Sequence, residues 1–264
     1  MNYRIYAIRY GHLERKAAGN FLGGDDHETD MPLDYYVWWV ANGSHSVLID
    51  TGFDAAAAER RGRTLLRPVA DGLAAVGVDA RTLTDVVITH MHYDHAGGLA
   101  AFPNARFHVQ DDELSYCTGR AMTHPHLSAP FDAETVVDMV RRLFAGRVVF
   151  HRGDDTLFPG ITLHRLPGHT PGLQAVRVQT ERGPVVLASD AAHFWANLER
   201  ETPFPILVDI PAYLDSLRAL RALAASLDHI IPGHDPAVLA RFPGEGGLSD
   251  VARLDLPPRT GRTL

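Results

Sequence analysis

Short apolar, β-branched runs broken by turn residues divide most of the chain into strands. Tyr3–Ile8, Tyr35–Ala41, Ser46–Ile49, Asp85–Thr89, Arg106–Val109, Arg147–Phe150, Thr162–Arg165, Ala175–Thr180, Pro184–Ala188 and His229–Ile231 fit that pattern. "ANGSH" at 41–45 is an Asn-Gly turn and predicts a hairpin between two of them. Three other stretches repeat apolar residues every three or four positions, the spacing of a helix face. The first, Arg63–Val76, stops at Gly77, with Pro68 as a second candidate for its start. The second, Asp132–Ala145, has a capping residue at Asp132 and stops at Gly146. The third, Pro211–Leu227, puts Tyr213, Leu217, Leu220, Leu223 and Leu227 on one stripe and leaves Arg218 and Arg221 off it. Residues 111–131 lack periodicity and read as a long loop, a common home of function. Residues 240–264 are rich in Gly and Pro and read as an extended tail.

This order of elements predicts an α/β or α+β sandwich, with 1–264 forming a single domain. A loose internal echo supports two sheet halves that meet at a shared edge. "VLIDTGFD" and "VVLASDAAHF" are strands that end in aspartate, and "VVITHMH" and "HIIPGHD" are strands that end in histidine.

Composition narrows the class. The 264 residues are 45% hydrophobic and 22% charged, an ordinary soluble balance that allows a sizeable core. A net charge of -7 leaves no basic excess for phosphates, so a nucleic-acid partner is not expected. Cys117 is the only cysteine, so no intrachain disulfide can form. No apolar run approaches the roughly 18 residues of a membrane helix, and the first residues lack a signal-peptide core. A cytoplasmic enzyme without membrane contact is therefore expected, acting on a small-molecule substrate; a homodimer is one assembly left open.

The candidate chemistry lies in "ITHMHYDHAGG", residues 88–98. His90 and His92 are two apart on an extended segment and can point the same way. Asp94 and His95 follow as the chain turns, and "AGG" lets the backbone pass closely around them. Two directions of projection predict two metal ions. Further ligands stand at turns and strand ends: His169 in "LPGHTPG", Asp190 in "VVLASD" and His234 in "IIPGHD". One carboxylate shared between the ions would hold them about 3.5–4 Å apart, and Asp190 is the choice for that bridge. Imidazole with carboxylate suits zinc, with manganese, iron and cobalt left open. His12, His27, His45, His108, His151, His164 and His229 read as surface residues or supports, while His124 and His126 are candidates for the pocket wall.

These motifs resemble the metallo-β-lactamase superfamily, from "VLIDTG" to "IPGHD", and within it the N-acyl-homoserine lactonases. The resemblance implies an αββα sandwich and two divalent ions, zinc first among candidates. It implies one ion on His90, His92 and His169, the other on Asp94, His95 and His234, with Asp190 bridging and Asp50 orienting ligands. It further implies opening of a lactone ring by a hydroxide held between the ions, the quorum-quenching reaction. Asp94 would accept the water proton and return it to the leaving alkoxide. One position departs: the lactonases carry tyrosine three residues after the bridging aspartate, and this chain has His193. An imidazole there can donate to a carbonyl oxygen, so His193 joins Asp94 as a catalytic candidate. Met31, Tyr35, Phe194 and Trp195 are candidates for the substrate pocket. Trp38 and Trp39 fit either the pocket or a core strand.

Other readings share the metal motif. A hydrolase of another lactone, an ester or a thioester, similar to hydroxyacylglutathione hydrolase, is the main alternative. A non-catalytic metal binder leaves the full set of seven ligands without a purpose.

Overall fold

The computed structural model describes residues 2–25 and 29–259. In chain order the strands are β1 (Arg4–Leu13), β2 (Leu33–Ala41), β3 (Ser46–Ile49), β4 (Thr64–Leu65), β5 (Asp85–Val87), β6 (Arg106–Gln110) and β7 (Val148–His151). They continue with β8 (Asp155–Phe158), β9 (Ile161–Arg165), β10 (Gln174–Thr180), β11 (Gly183–Ser189), β12 (Ile230–Pro232), β13 (Gly244–Glu245) and β14 (Leu248–Arg253). The α-helices are α1 (Ala55–Arg61), α2 (Val69–Ala75), α3 (Tyr93–Ala96), α4 (Asp111–Cys117) and α5 (Pro125–Ser128). After them come α6 (Ala133–Phe144), α7 (Trp195–Arg200), α8 (Ile210–Leu223) and α9 (Ala237–Arg241).

Two mixed sheets result. The larger runs β13-β14-β1-β2-β3-β5-β6-β7, with β4 also on β1, and the smaller runs β12-β11-β10-β9-β8. Period-two alternation decides which side chains go where. From β1 and β2, Ile5, Ala7, Tyr36, Trp38 and Val40 point into the space between the sheets, where they meet Leu163, Val176 and Leu187. Their neighbours Tyr6, Ile8, Tyr35 and Val37 face the other way, onto a second core with Leu73, Phe102 and Met139. Helices cover both outer faces, α2 and α6 on the large sheet and α8 on the small one. The architecture is the α+β sandwich with αββα layering.

Several expectations need correction. Residues 111–131 are not a loop, because α4 and α5 lie within them. The helix expected over Arg63–Val76 is split: β4 takes its first part, and helix begins only after Pro68, as that residue's fixed geometry favours. The tail expected over 240–264 contributes the end of α9 and the β13–β14 hairpin, and β14 pairs antiparallel with β1 through Tyr6↔Arg253 and Ile8↔Val251. Val251 and Ala252 are buried there, so these residues close the sheet edge. Of the histidines read as surface residues or supports, His108 and His151 are buried, in a chain of contacts Asp85–His108–His151–Asp155 at 2.7–3.0 Å. His27 lies outside the described residues.

The internal echo has a structural counterpart. β3 and β5 are parallel neighbours, as are β11 and β12. Asp50, immediately after β3, and Ser189, the last residue of β11, have positive φ (63° and 48°). That conformation costs a non-glycine residue about 1–2 kcal/mol and tends to collect at functional sites. Here it turns the chain at the edge where the two sheets meet, and the candidate ligands emerge from that edge.

Candidate metal centre

Each candidate ligand leaves a strand or a tight turn at this edge. His90 and His92 follow β5, and the one-turn helix α3 swings Asp94 and His95 across from them. The turn packs closely: a Cβ on Gly98 would fall 2.2 Å from the Thr51 carbonyl oxygen. Gly168, two residues after Leu166, has φ +132° and lies against the backbone of Tyr213, so His169 sits on a turn that only glycine can shape.

Asp190 stands at the centre. Its Oδ2 lies 3.1 Å from His169 Nε2 and 3.8 Å from His90 Nε2. Its Oδ1 lies 2.9 Å from His234 Nε2 and 3.3 Å from His95 Nε2. One carboxylate thus presents one oxygen to each of two ligand sets. Donor atoms of His90, His92, His169 and Asp190 fall within 4.8 Å of one another, and so do those of Asp94, His95 and His234. All seven residues are buried except Asp94, which is partly exposed at the cavity.

The outer nitrogens are held in ways that fix the inner ones. His95 Nδ1 lies 2.7 Å from Asp50 Oδ2, and His234 Nδ1 lies 3.0 Å from the Asp34 carbonyl. Both partners only accept, so each Nδ1 carries a proton and each Nε2 is the nitrogen turned toward the centre. Asp50 also accepts from the Thr89 amide and hydroxyl, both at 2.8 Å.

These residues fit two divalent cations. Nε2 of His90 and of His95 is buried without a hydrogen-bond partner among the described residues, an arrangement that is costly unless something binds there. Burial and the neighbouring imidazoles push His90 and His92 well below the ordinary histidine value, so both offer neutral lone pairs. Burial also acts on His95 and His234, but Asp190 and Asp94 outweigh it and hold both above that value. The centre attracts positive charge, and a bound cation competes for the same lone pairs.

His193 lines the cavity beside Asp190. It is buried, its ring stacks on Phe204 at 3.7 Å, and its Nε2 lies 3.1 Å from Asp190 Oδ2. Burial takes it down to about 3 against the pull of Asp190, so the ring is neutral and has a single N–H. Asp190 is placed to accept that proton, which leaves Nδ1 with the lone pair.

The pocket candidates divide. Tyr35 lines the cavity, its ring 5.1 Å from that of His234. Phe194 is fully buried and packs with Leu33 and Phe204, with Met31 against that cluster, so both lie behind the wall rather than on it. Trp195 is a core residue whose indole N–H donates to the Ile230 carbonyl at 2.9 Å. Trp38 is core as well, and Trp39 stacks on Tyr6 at 4.9 Å. His126 borders the apolar part of the cavity, and His124 is exposed.

Sequence reasoning missed Glu113. In the first turn of α4 it is fully buried, with Oε1 accepting from the Met91 amide at 2.7 Å. Its Oε2 accepts from the Thr170 hydroxyl at 2.6 Å and the Gly172 amide at 3.2 Å. The side chain therefore ties the His90/His92 segment to the His169 turn. Its only trace in the sequence was an acid at a helix start, a common surface feature. Glu113→Ala leaves three buried donors unsatisfied and is expected to cost about 3 kcal/mol in urea unfolding of the metal-loaded protein. A cost below about 1 kcal/mol would contradict the tie.

Comparison with known proteins follows the same lines. The metallo-beta-lactamase superfamily model matches residues 31–234. An N-acyl homoserine lactonase of a Bacillus species is 28% identical over 222 residues, covering 78% of this chain and 82% of that protein. The N-acyl homoserine lactonase AttM of Rhizobium radiobacter is 27% identical over 262 residues, covering 90% and 95%. The crystal structure of a quorum-quenching N-acyl homoserine lactone lactonase matches with a TM-score of 0.74 at 25% identity, covering 89% of this chain and 94% of that one.

Proposed function

Because the chain belongs to the metallo-beta-lactamase superfamily, we propose that it is a dinuclear zinc hydrolase that opens the ring of N-acyl homoserine lactones. The observation that carries this is Asp190, with one oxygen toward each of two ligand sets. The lactonase relatives support the choice of substrate. In this reading His90, His92 and His169 hold one ion and Asp94, His95 and His234 the other, with Asp190 shared. Such ions, when bound, supply a water that loses its proton near neutral pH and an electrophilic pull on the carbonyl.

The chain's own residues do the rest. Asp94 takes the proton of the attacking water on its carboxylate and returns it to the alkoxide that leaves as the ring opens. Helix α3, which carries it, is fixed from behind by the Tyr10 hydroxyl, which donates to the Asp94 carbonyl at 2.6 Å. Asp50 and the Asp34 carbonyl set the proton positions of His95 and His234. His193 steadies Asp190 from the cavity side. Tyr35 forms part of the wall that receives the acyl chain. The chain works as a single domain and in the cytoplasm, where its lone thiol, Cys117, needs no oxidising partner; it is also buried.

A lactone panel tests this on protein of measured metal content, with ring opening followed by proton release. Short- and long-chain homoserine lactones are expected to be opened at rates well above those for thioesters and phosphodiesters. Turnover confined to thioesters would transfer the site to the hydroxyacylglutathione hydrolase type.

A further inference from the structure

The cavity at the metal centre, about 230 Å³, has two walls of different character. One opens into an adjoining lobe of about 240 Å³ bordered by Leu127, Ile206, Leu207 and Val208. The other carries Arg15, Arg61 and Arg63. Arg61 is accounted for: it pairs with Asp132 at 2.7 Å and lies over the Tyr93 ring. Arg15 and Arg63 have no carboxylate partner among the described residues.

Both are nonetheless held in place. Arg63 donates from Nε to the Tyr93 hydroxyl at 3.0 Å and from one terminal nitrogen to the Arg61 carbonyl at 2.7 Å. Arg15 donates to the Gly19 carbonyl and lies over the Phe204 ring, 5.1 Å from its centroid. Tyr93 adjoins Asp94 in sequence, and Phe204 stacks on His193, so each arginine is one side chain away from the metal centre. Both are half-buried. Burial and the charge of Arg63 both push Arg15 below the usual guanidinium range, while Tyr35 pulls the other way.

Two half-buried guanidiniums without a carboxylate partner among the described residues, on one wall of a cavity beside a site suited to two cations, form a receptor for an anion. We propose that the substrate carries an oxyanion, most simply a carboxylate, several atoms from the scissile carbonyl, and that Arg15 and Arg63 receive it. The planar fork of a guanidinium matches a carboxylate, and charge-assisted hydrogen bonds are the strong kind. This deepens the lactonase reading and rests on it for the reacting group, but the anion site itself does not depend on turnover.

The test uses two matched lactones, N-hexanoyl- and N-adipoyl-homoserine lactone, which differ only in the carboxylate at the end of the six-carbon chain. Zinc-loaded protein is expected to prefer the adipoyl compound by about tenfold in kcat/KM, a preference that shrinks as salt is raised. In the double variant R15Q/R63Q the ratio of the two is expected to fall to about one. The non-hydrolysable lactams with the same two chains give the corresponding ratio of binding constants by calorimetry. Equal or reversed preference in the wild-type protein, or a ratio unchanged in the double variant, overturns the proposal. If neither lactone is opened while the lactam preference holds, the lactonase reading fails and the anion site stands.

Discussion

Asp94→Asn is expected to lower kcat/KM for homoserine lactones by about 10²–10⁴-fold, the range contributed by a positioned general base. An amide cannot accept a proton from water near neutral pH, and it is a weaker metal ligand than a carboxylate. The fold should survive. Among the described residues the Asp94 side chain makes long contacts to His95 (3.6 Å) and His234 (3.8 Å), and the Tyr10 hydroxyl still anchors its carbonyl. Steady-state kinetics on protein of measured metal content, with thermal unfolding alongside, separates the two effects. Activity within tenfold of wild type with both ions bound would remove Asp94 from proton transfer.

The second large effect belongs to Asp50, and two substitutions act through different physics. Asp50→Ala leaves the Thr89 amide, the Thr89 hydroxyl and the His95 Nδ1–H facing a buried gap. Removing one partner of a buried charged pair costs about 3–5 kcal/mol, and several unsatisfied donors act together here. Asp50→Asn is nearly isosteric, and asparagine tolerates the positive φ at this position. Its amide NH₂ would face His95 Nδ1, however, and a donor opposite Nδ1 moves the imidazole proton to Nε2. That proton occupies the lone pair a metal needs, so affinity for the ion on His95 is expected to fall about 10–100-fold with the fold retained. Competition with a chromophoric chelator reads the affinity, and urea unfolding reads the stability. Unchanged affinity in the asparagine variant would show that Asp50 does not set the His95 proton.

What the sequence revealed depended on the range of the interaction. Strands were legible because alternation is local: Tyr36, Trp38 and Val40 against Tyr35 and Val37 show a two-faced strand without any partner. The ligands were legible for the same reason, since "HMHYDH" packs four of them into six residues. α4 was missed because seven residues beginning with three acids give too little apolar spacing to register. β14 was hidden by the glycines before it, although its strand is stabilised by pairing with β1, some 240 residues earlier. The pocket was misread where nearness in sequence stood in for direction. Phe194 and Trp195 follow Asp190 closely, but α7 starts there and both rings turn inward. Glu113, the Asp34 carbonyl, Arg15 and Arg63 carry no local signature; only the folded chain brings them to the site.

Zinc titration of metal-free protein, with N-acyl homoserine lactone opening as the readout, tests the central claim most directly. Activity is expected to start at background and reach its plateau at two ions per chain. Full activity without metal, a plateau at one ion, or two bound ions with no lactone opened would contradict it.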